Sequence, residues 1–207
     1  MRKKVALGVA LLVVGVLAMV LFHRPFPSDR TPEGAYMRIA HSVSENQIAL
    51  IFPYLETDAQ WASYTIRDMR AKACVRIQAN YPEPERSRML AAYEPEANVP
   101  DGSDVFALLA HQRGWIGRLR KDLSGVIRVE VDGDRASVVT ARGTRYPFRR
   151  RDNGIWGITI FTADLMAEAE RASRDLAVIT SAAEDYDRGR DGGSDGNPTR
   201  DHPGSLN

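Results

Sequence analysis

The sequence is poor in the residues that indicate covalent or metal chemistry. Cys74 is the only cysteine among 207 residues, so no disulfide can form within the chain. The four histidines are scattered without the paired spacing of metal ligands. The one Gly-x-Ser-x-Gly match, at residues 192–196, lies in a glycine- and aspartate-rich segment without the preceding apolar strand that a serine nucleophile elbow needs, and no phosphate-binding loop occurs. The sequence therefore predicts no metal site and no cofactor, and it offers no catalytic residue.

Lysine is also scarce, and the charges nearly balance. Almost all the positive charge is arginine, and the formal net charge is +1. Nucleic-acid-binding domains usually carry a strong positive excess, so nucleic acid is not an expected partner. Hydrophobic residues make up 43% of the chain, which is enough for one globular domain of ordinary size.

The one long hydrophobic run lies at the N-terminus. Val5 to Phe22 is apolar over 18 residues and follows Arg2-Lys3-Lys4. As a helix this run spans roughly 27 Å, close to the thickness of a bilayer's hydrocarbon core. Cleaved signal peptides have a shorter apolar region, about 7–15 residues, followed by small residues. We therefore expect residues 1–24 to be an uncleaved signal-anchor that contacts lipid through residues 5–22, although a cleaved signal peptide remains the alternative.

The flanking charges predict the orientation of this anchor. Basic residues before a span remain in the cytoplasm. The chain is thus expected to be a single-pass protein of the cytoplasmic (inner) membrane, with most of its length in the periplasm or outside. Pro25 and Pro27 favour an extended linker over residues 25–30.

Helical signals dominate residues 31–123. Thr31-Pro32-Glu33 is a strong helix start, and Asn46 can end that helix. Thr57-Asp58 opens a helix to about Asn80 with one apolar stripe, and this pattern places Arg70 away from the stripe. Three shorter helices are expected over residues 85–93, 103–113 and 115–123, the second capped by Ser103.

The period changes from 3.6 to 2 after residue 125. Ile127 and Val131 alternate with charged residues, and glycine-containing turns follow at 132–133, 143 and 152–154. Four short-linked strands, the last over residues 155–162 with Ile160 on its inner face, predict an antiparallel meander. A helix over residues 163–186 should follow, and the glycine- and aspartate-rich residues 188–207 are typical of a disordered tail.

The predicted class is therefore α+β. A transmembrane helix precedes several helices packed on a curled four-stranded antiparallel meander, with a long C-terminal helix completing the domain at residues 31–187.

This order, with the opening Thr31-Pro32-Glu33-Gly34-Ala35-Tyr36, resembles the cone-shaped α+β superfamily of ketosteroid isomerase, the nuclear transport factor domain and the polyketide cyclases. It is similar to small membrane-anchored members of unknown role. The resemblance implies a tyrosine late in the first helix and carboxylic acids inside the cone. Tyr36 lies early in its helix, so no catalytic residue is transferred.

Two sets of side chains are candidate contact sites. Trp61, Tyr64 and Arg67 can line a small-ligand pocket, although packing and surface roles are the alternative. Arg149, Arg150 and Arg151 precede a turn and can contact an anion such as a lipid head group. Because neighbouring strand residues face opposite sides, these arginines do not form one cluster, and a solvated hairpin end is the other interpretation.

The sequence favours a membrane-anchored, non-catalytic domain that binds a protein partner or a small ligand in the cell envelope. Two alternatives stay open: an envelope enzyme of the cone-shaped fold, and a structural subunit that assembles through its last helix.

Overall fold

The computed structural model describes residues 26–192, with side chains through Gly189. The predicted anchor and the residues after Gly192 lie outside this range. Among residues 26–192, no helix is both long enough and apolar enough to cross a bilayer.

Helices pack against one face of a small sheet in the described part of the chain. The sheet is an antiparallel meander in the order β1-β2-β3-β4, which confirms the predicted α+β class and topology. The helices are α1 (Pro32–Ser44), a 3-10 helix (Ile48–Tyr54), α2 (Thr57–Asn80), α3 (Glu85–Ala97), α4 (Gly102–Gln112), α5 (Trp115–Asp122) and α6 (Thr162–Gly192). The strands are β1 (Val126–Asp132), β2 (Arg135–Thr140), β3 (Arg145–Arg150) and β4 (Trp156–Ile158).

Local signals determine where α1 begins and ends. The Thr31 hydroxyl accepts a hydrogen bond from the Gly34 N–H at 3.1 Å, and Pro32 occupies the first turn. Asn46 has a φ of 57°, the left-handed conformation that asparagine tolerates after a helix end. Both predicted boundary signals are confirmed.

The sheet supplies one wall of the core. Val138 pairs with Tyr146, and Phe148 pairs with Ile158, so these side chains share one face. All four are buried. The turns before β2, β3 and β4 contain Gly133, Gly143 and Gly154, each with positive φ.

The predicted inner faces of β1 and β4 are wrong in part. The register shifts between Val126 and Arg128, a bulge that breaks the alternation. Ile127, at this bulge, is consequently 68% exposed, whereas Val131 pairs with the buried Ala136 but is 58% exposed close to the turn at Gly133. Strand β4 ends at Ile158, before the predicted end, because the Thr162 N–H bonds to the Thr159 carbonyl in a turn that leads into α6.

Ile160 lies beyond this short strand and is 37% exposed, whereas the neighbouring Phe161 is buried. The prediction that Ile160 faces the core is therefore wrong.

Two helix boundaries also differ from the prediction. Helix α3 continues past Tyr93 to Ala97, with Pro95 inside its last turn. Asp101, rather than Ser103, caps α4, and its carboxylate accepts from the Gly102 N–H.

Helix α6 is longer than expected and forms a second core. Its distal half packs on α2 and α3. The helix continues to Gly192, so residues 188–192 of the predicted disordered tail are helical. The buried members of this second core are Ala73, Ile77, Tyr81, Ile179 and Ala183.

Candidate functional site

The predicted ligand residues Trp61, Tyr64 and Arg67 all lie on α2, and the Trp61 and Tyr64 ring centres are 6.3 Å apart. Trp61 is 67% exposed and borders an open groove between α2 and α6. Tyr64 packs edge-on against Phe52, and Arg67 donates to the Val99 carbonyl at 2.9 Å. Of the three, Trp61 lines this groove, whereas Tyr64 and Arg67 make the contacts just described.

Two of the three hairpin arginines bind protein groups. Arg149 forms an ion pair with Glu56 at 2.9 Å, and the Glu56 side chain is 8% exposed. Arg151 donates to the Pro53 carbonyl and to the Gln60 side chain, both at 2.8 Å. The solvated interpretation is therefore wrong for these two residues, which attach the sheet to the start of α2.

Arg150 lies on the opposite face of β3 and is exposed. Its backbone N–H bonds to the Asp134 carbonyl, while its guanidinium forms no ion pair within residues 26–189. Of the three arginines, Arg150 alone fits the solvated interpretation.

A cavity of about 220 Å³ lies where α5, β3 and the start of α6 meet. The floor of this cavity is apolar, and its mouth is charged. Its lining residues are Trp115, Arg118, Leu119, Asp122, Tyr146, Ile160, Phe161 and Asp164.

Aromatic packing builds the floor of this cavity. Gly114, with a φ of 66°, ends α4 and turns the chain so that Trp115 begins α5. The Trp115 and Phe161 rings stack at 5.0 Å, and Phe106 meets Phe161 edge-on at 5.4 Å. A flat apolar group is complementary to such a floor.

Tyr146 forms part of the cavity wall, and its hydroxyl lies behind the surface that solvent reaches. Its side chain is 3% exposed, and its buried hydroxyl has no hydrogen-bond partner among the described residues. The neighbouring Tyr36 ring lies 5.4 Å away, but its hydroxyl donates to the Ser124 carbonyl at 2.7 Å and accepts from the Ser124 N–H at 3.1 Å. Tyr36 is thus bonded to the backbone of Ser124 and not to Tyr146.

The pKa of Tyr146 is raised to about 12, mainly by burial and to a smaller extent by the nearby Tyr36 and Asp122. A phenol with this pKa stays protonated at neutral pH, so Tyr146 can donate a hydrogen bond but cannot serve as a base there. Arg118, Asp122 and Asp164 are exposed at the mouth.

A buried ionic cluster lies next to this cavity and was missed in the sequence. Arg70, predicted to face away from the core, is 5% exposed and contacts Glu96, Asp175 and Glu168 at 2.9, 2.5 and 3.4 Å. Burial lowers the pKa of Arg70, but hydrogen bonds to Asp175 and Glu96 outweigh this effect and raise it.

Arg113 connects the cluster to the cavity floor. It pairs with Glu168, and its guanidinium lies 5.7 Å from the Trp115 ring centre. Arg113 therefore contacts both the ionic cluster and the Trp115 ring.

Comparisons with models of known protein families, with curated proteins and with solved structures give no match. The residues themselves must therefore carry any functional argument.

The strand pattern in the sequence does not single out Tyr146. A usable signal was present, since a tyrosine at an inward strand position brings a hydroxyl that needs a partner. No comparable signal identifies Asp122 or Asp164, because each lies at a helix end and meets the cavity only after folding.

Proposed function

We propose that this chain is a membrane-anchored, extracytoplasmic, non-catalytic domain that binds a small neutral ligand in the Tyr146 cavity. The anchor is the apolar run at residues 5–22, and the cell envelope is the compartment that its flanking charges favour.

The buried, unpartnered hydroxyl of Tyr146 carries the proposal. Leaving a buried hydroxyl without a partner costs about 1–3 kcal/mol, and native proteins rarely retain such a group without a reason. Because the hydroxyl is closed to solvent in this structure, a ligand must displace part of the cavity wall to accept its hydrogen bond, and that bond then offsets this cost.

The cavity walls define the ligand class. The stacked Trp115 and Phe161 rings fit a flat apolar body, and the protonated phenol fits an acceptor such as a carbonyl oxygen. A volume of about 220 Å³ restricts the ligand to a single ring with a short substituent. An anionic ligand is disfavoured, since the lining carries two carboxylates, Asp122 and Asp164, and one cation, Arg118.

A matched pair of probes tests the proposal. Acetophenone has the ring and the carbonyl acceptor, while α-methylstyrene has nearly the same shape without the acceptor. The full chain in lipid nanodiscs should bind acetophenone about 2- to 10-fold more tightly, the contribution of one net hydrogen bond. Ligand-observed NMR measures both affinities, and empty nanodiscs correct for partition into lipid.

Two variants locate the binding. Tyr146→Phe should abolish the preference for acetophenone while leaving α-methylstyrene binding unchanged. Ile160→Trp, at the half-open mouth, should weaken both probes. Tyr64→Phe, in a tyrosine outside the cavity, is the control and should change neither. Equal affinities for the two probes in the unmodified chain contradict the proposal.

Assembly through α6 is a second candidate with an observation of its own. Met166 and Val178 on this helix are 44% and 69% exposed. Sedimentation of the full chain in detergent tests this candidate. If the chain self-associates through α6, it sediments as a dimer and Val178→Glu dissociates it, whereas the sedimentation of a ligand-binding monomer is unchanged by this variant.

A further inference from the structure

The segment through which the chain enters the domain is fixed to the fold. The Ser28 carbonyl accepts from the Thr31 N–H at 3.0 Å and from its hydroxyl at 2.7 Å. The Trp156 backbone N–H donates to the Asp29 carbonyl at 3.3 Å, and its indole N–H donates to the Arg30 carbonyl at 3.1 Å. Residues 28–31 are consequently part of the domain rather than a free tether.

Phe26 marks the point of entry. Its ring lies 5.3 Å from the His41 ring, near the C-terminal end of α1, and the Arg38 guanidinium lies 5.7 Å from its centre. Only four residue steps separate Phe26 from Phe22, the end of the apolar run, and four extended residues reach at most about 14 Å. If the run spans the bilayer, this end of α1 must lie at the membrane surface.

A groove of about 450 Å³ opens beside Phe26. Its walls are α1 and the start of β1, and Phe26 itself is 41% exposed. The apolar part of the groove consists of Phe26, Met37, Ala40 and Val126, while Glu33, His41 and Ser44 contribute polar groups.

Two arginines beside this groove lack acidic partners in the described chain. The Nε atom of Arg38 is buried without a hydrogen-bond partner, and no carboxylate of residues 26–189 pairs with its guanidinium. The exposed Arg142 bonds through its backbone N–H to the Ser124 hydroxyl, next to the groove, and its guanidinium is likewise unpaired within that range. Arginine binds phosphate oxygens with forked hydrogen bonds.

We infer that the groove beside Phe26 is a docking surface for the anionic phospholipid head groups of the bilayer that holds the anchor. Phe26 enters the interfacial layer, and Arg38 and Arg142 bind lipid phosphates. This inference rests on the anchoring part of the proposed function, and it adds a fixed orientation in which this end of α1 faces the membrane.

Charge near an anionic surface sets the expected effect. One juxtamembrane arginine changes the ratio of docked to undocked domain by about fivefold, and two change it by about 25-fold. Neutral lipid should give a correspondingly smaller docked fraction.

A spin label on the groove measures docking in the full chain. Ser44→Cys places the label in the groove, and Cys74→Ser removes the native thiol. Val178→Cys, on exposed α6, is the matched control position. Electron paramagnetic resonance power saturation with oxygen and with a nickel chelate then reports the depth of each label in phosphatidylglycerol and phosphatidylcholine nanodiscs.

In phosphatidylglycerol we expect the label at position 44 at interfacial depth and the label at 178 in water. The change Arg38→Gln/Arg142→Gln should return the first label to water, with an unchanged circular dichroism spectrum. Equal aqueous exposure of both labels overturns the inference, as does docking that is independent of lipid charge and of the arginines. If residues 5–22 do not anchor the chain, the result is different, because the chain then does not enter nanodiscs at all.

Discussion

Replacement of Arg70 by methionine tests the buried ionic cluster. The Arg70 side chain is 6% exposed and pairs with Glu96, Glu168 and Asp175, while its guanidinium lies 4.5 Å from the Tyr93 ring centre. Methionine keeps most of the apolar stem but removes the charge. Three carboxylates then lose their common cation.

The structure allows an order-of-magnitude estimate of the loss. Breaking a buried ion pair costs about 3–5 kcal/mol, since the remaining charge is left uncompensated. Two features favour the lower end. Asp175 is 31% exposed and can rehydrate, and Glu168 keeps Arg113 and Arg171. We therefore expect the free energy of unfolding to fall by about 3 kcal/mol.

Urea unfolding of the full chain in detergent, followed by far-ultraviolet circular dichroism, measures this loss. With a slope of about 1–3 kcal/mol per molar urea, the midpoint should fall by roughly 1–3 M. Arg174→Met is the control, because its pair with Glu170 is long at 3.6 Å and exposed on both sides. If Arg70→Met shifts the midpoint no more than this control does, the cluster does not support the fold.

Three further predictions follow from single contacts. A Cβ added at Gly34 would lie 2.0 Å from the Ser28 carbonyl oxygen, so Gly34→Ala should lower the melting temperature by displacing the entry segment. Gly117 has open space around it, so Gly117→Ala should stabilise α5 by about 0.5–1 kcal/mol. Equal effects of the two changes refute the contact. Arg149→Ser leaves a buried carboxylate without its cation and should lower the urea midpoint, whereas Arg150→Ser should be neutral, and the reverse order contradicts the pairing. Tyr146→Phe should be neutral or stabilising at pH 7, because it removes an unpartnered hydroxyl. Below pH ~10 Tyr146 is protonated in both the folded and the unfolded chain, but between pH ~10 and 12 it ionises only in the unfolded chain. The free energy of unfolding of the wild type should therefore fall in this range by up to about 1.4 kcal/mol per pH unit more than that of Tyr146→Phe. Parallel pH profiles refute the raised pKa.

Local chemistry explains why most elements are predictable from the sequence. The start of α1 depends on Thr31 and Pro32, which are neighbours in the chain, and the hairpin turns depend on glycines that adopt positive φ. These signals act within a few residues and do not require knowledge of the tertiary fold.

The missed features depend on segments that are distant in sequence. Arg70 faces away from one apolar stripe of α2, but α3 and α6 cover that side and supply its carboxylates. The bulge in β1 exposes Ile127 although the sequence alternates regularly. The Tyr146 hydroxyl has no partner among the described residues, although the neighbouring Tyr36 hydroxyl is bonded to the backbone of Ser124. Periodicity on one element cannot predict such arrangements.

The central claim is that Tyr146 donates a hydrogen bond to a ligand in its cavity. The most direct test is carbon NMR of the full chain labelled with ¹³Cζ-tyrosine, titrated with acetophenone, with Tyr146→Phe assigning the resonance. We expect the Tyr146 signal to move with the same saturation curve as the ligand signal, while the Tyr36 signal, held by Ser124, moves much less. A Tyr146 resonance that stays in place while acetophenone saturates the protein contradicts the claim.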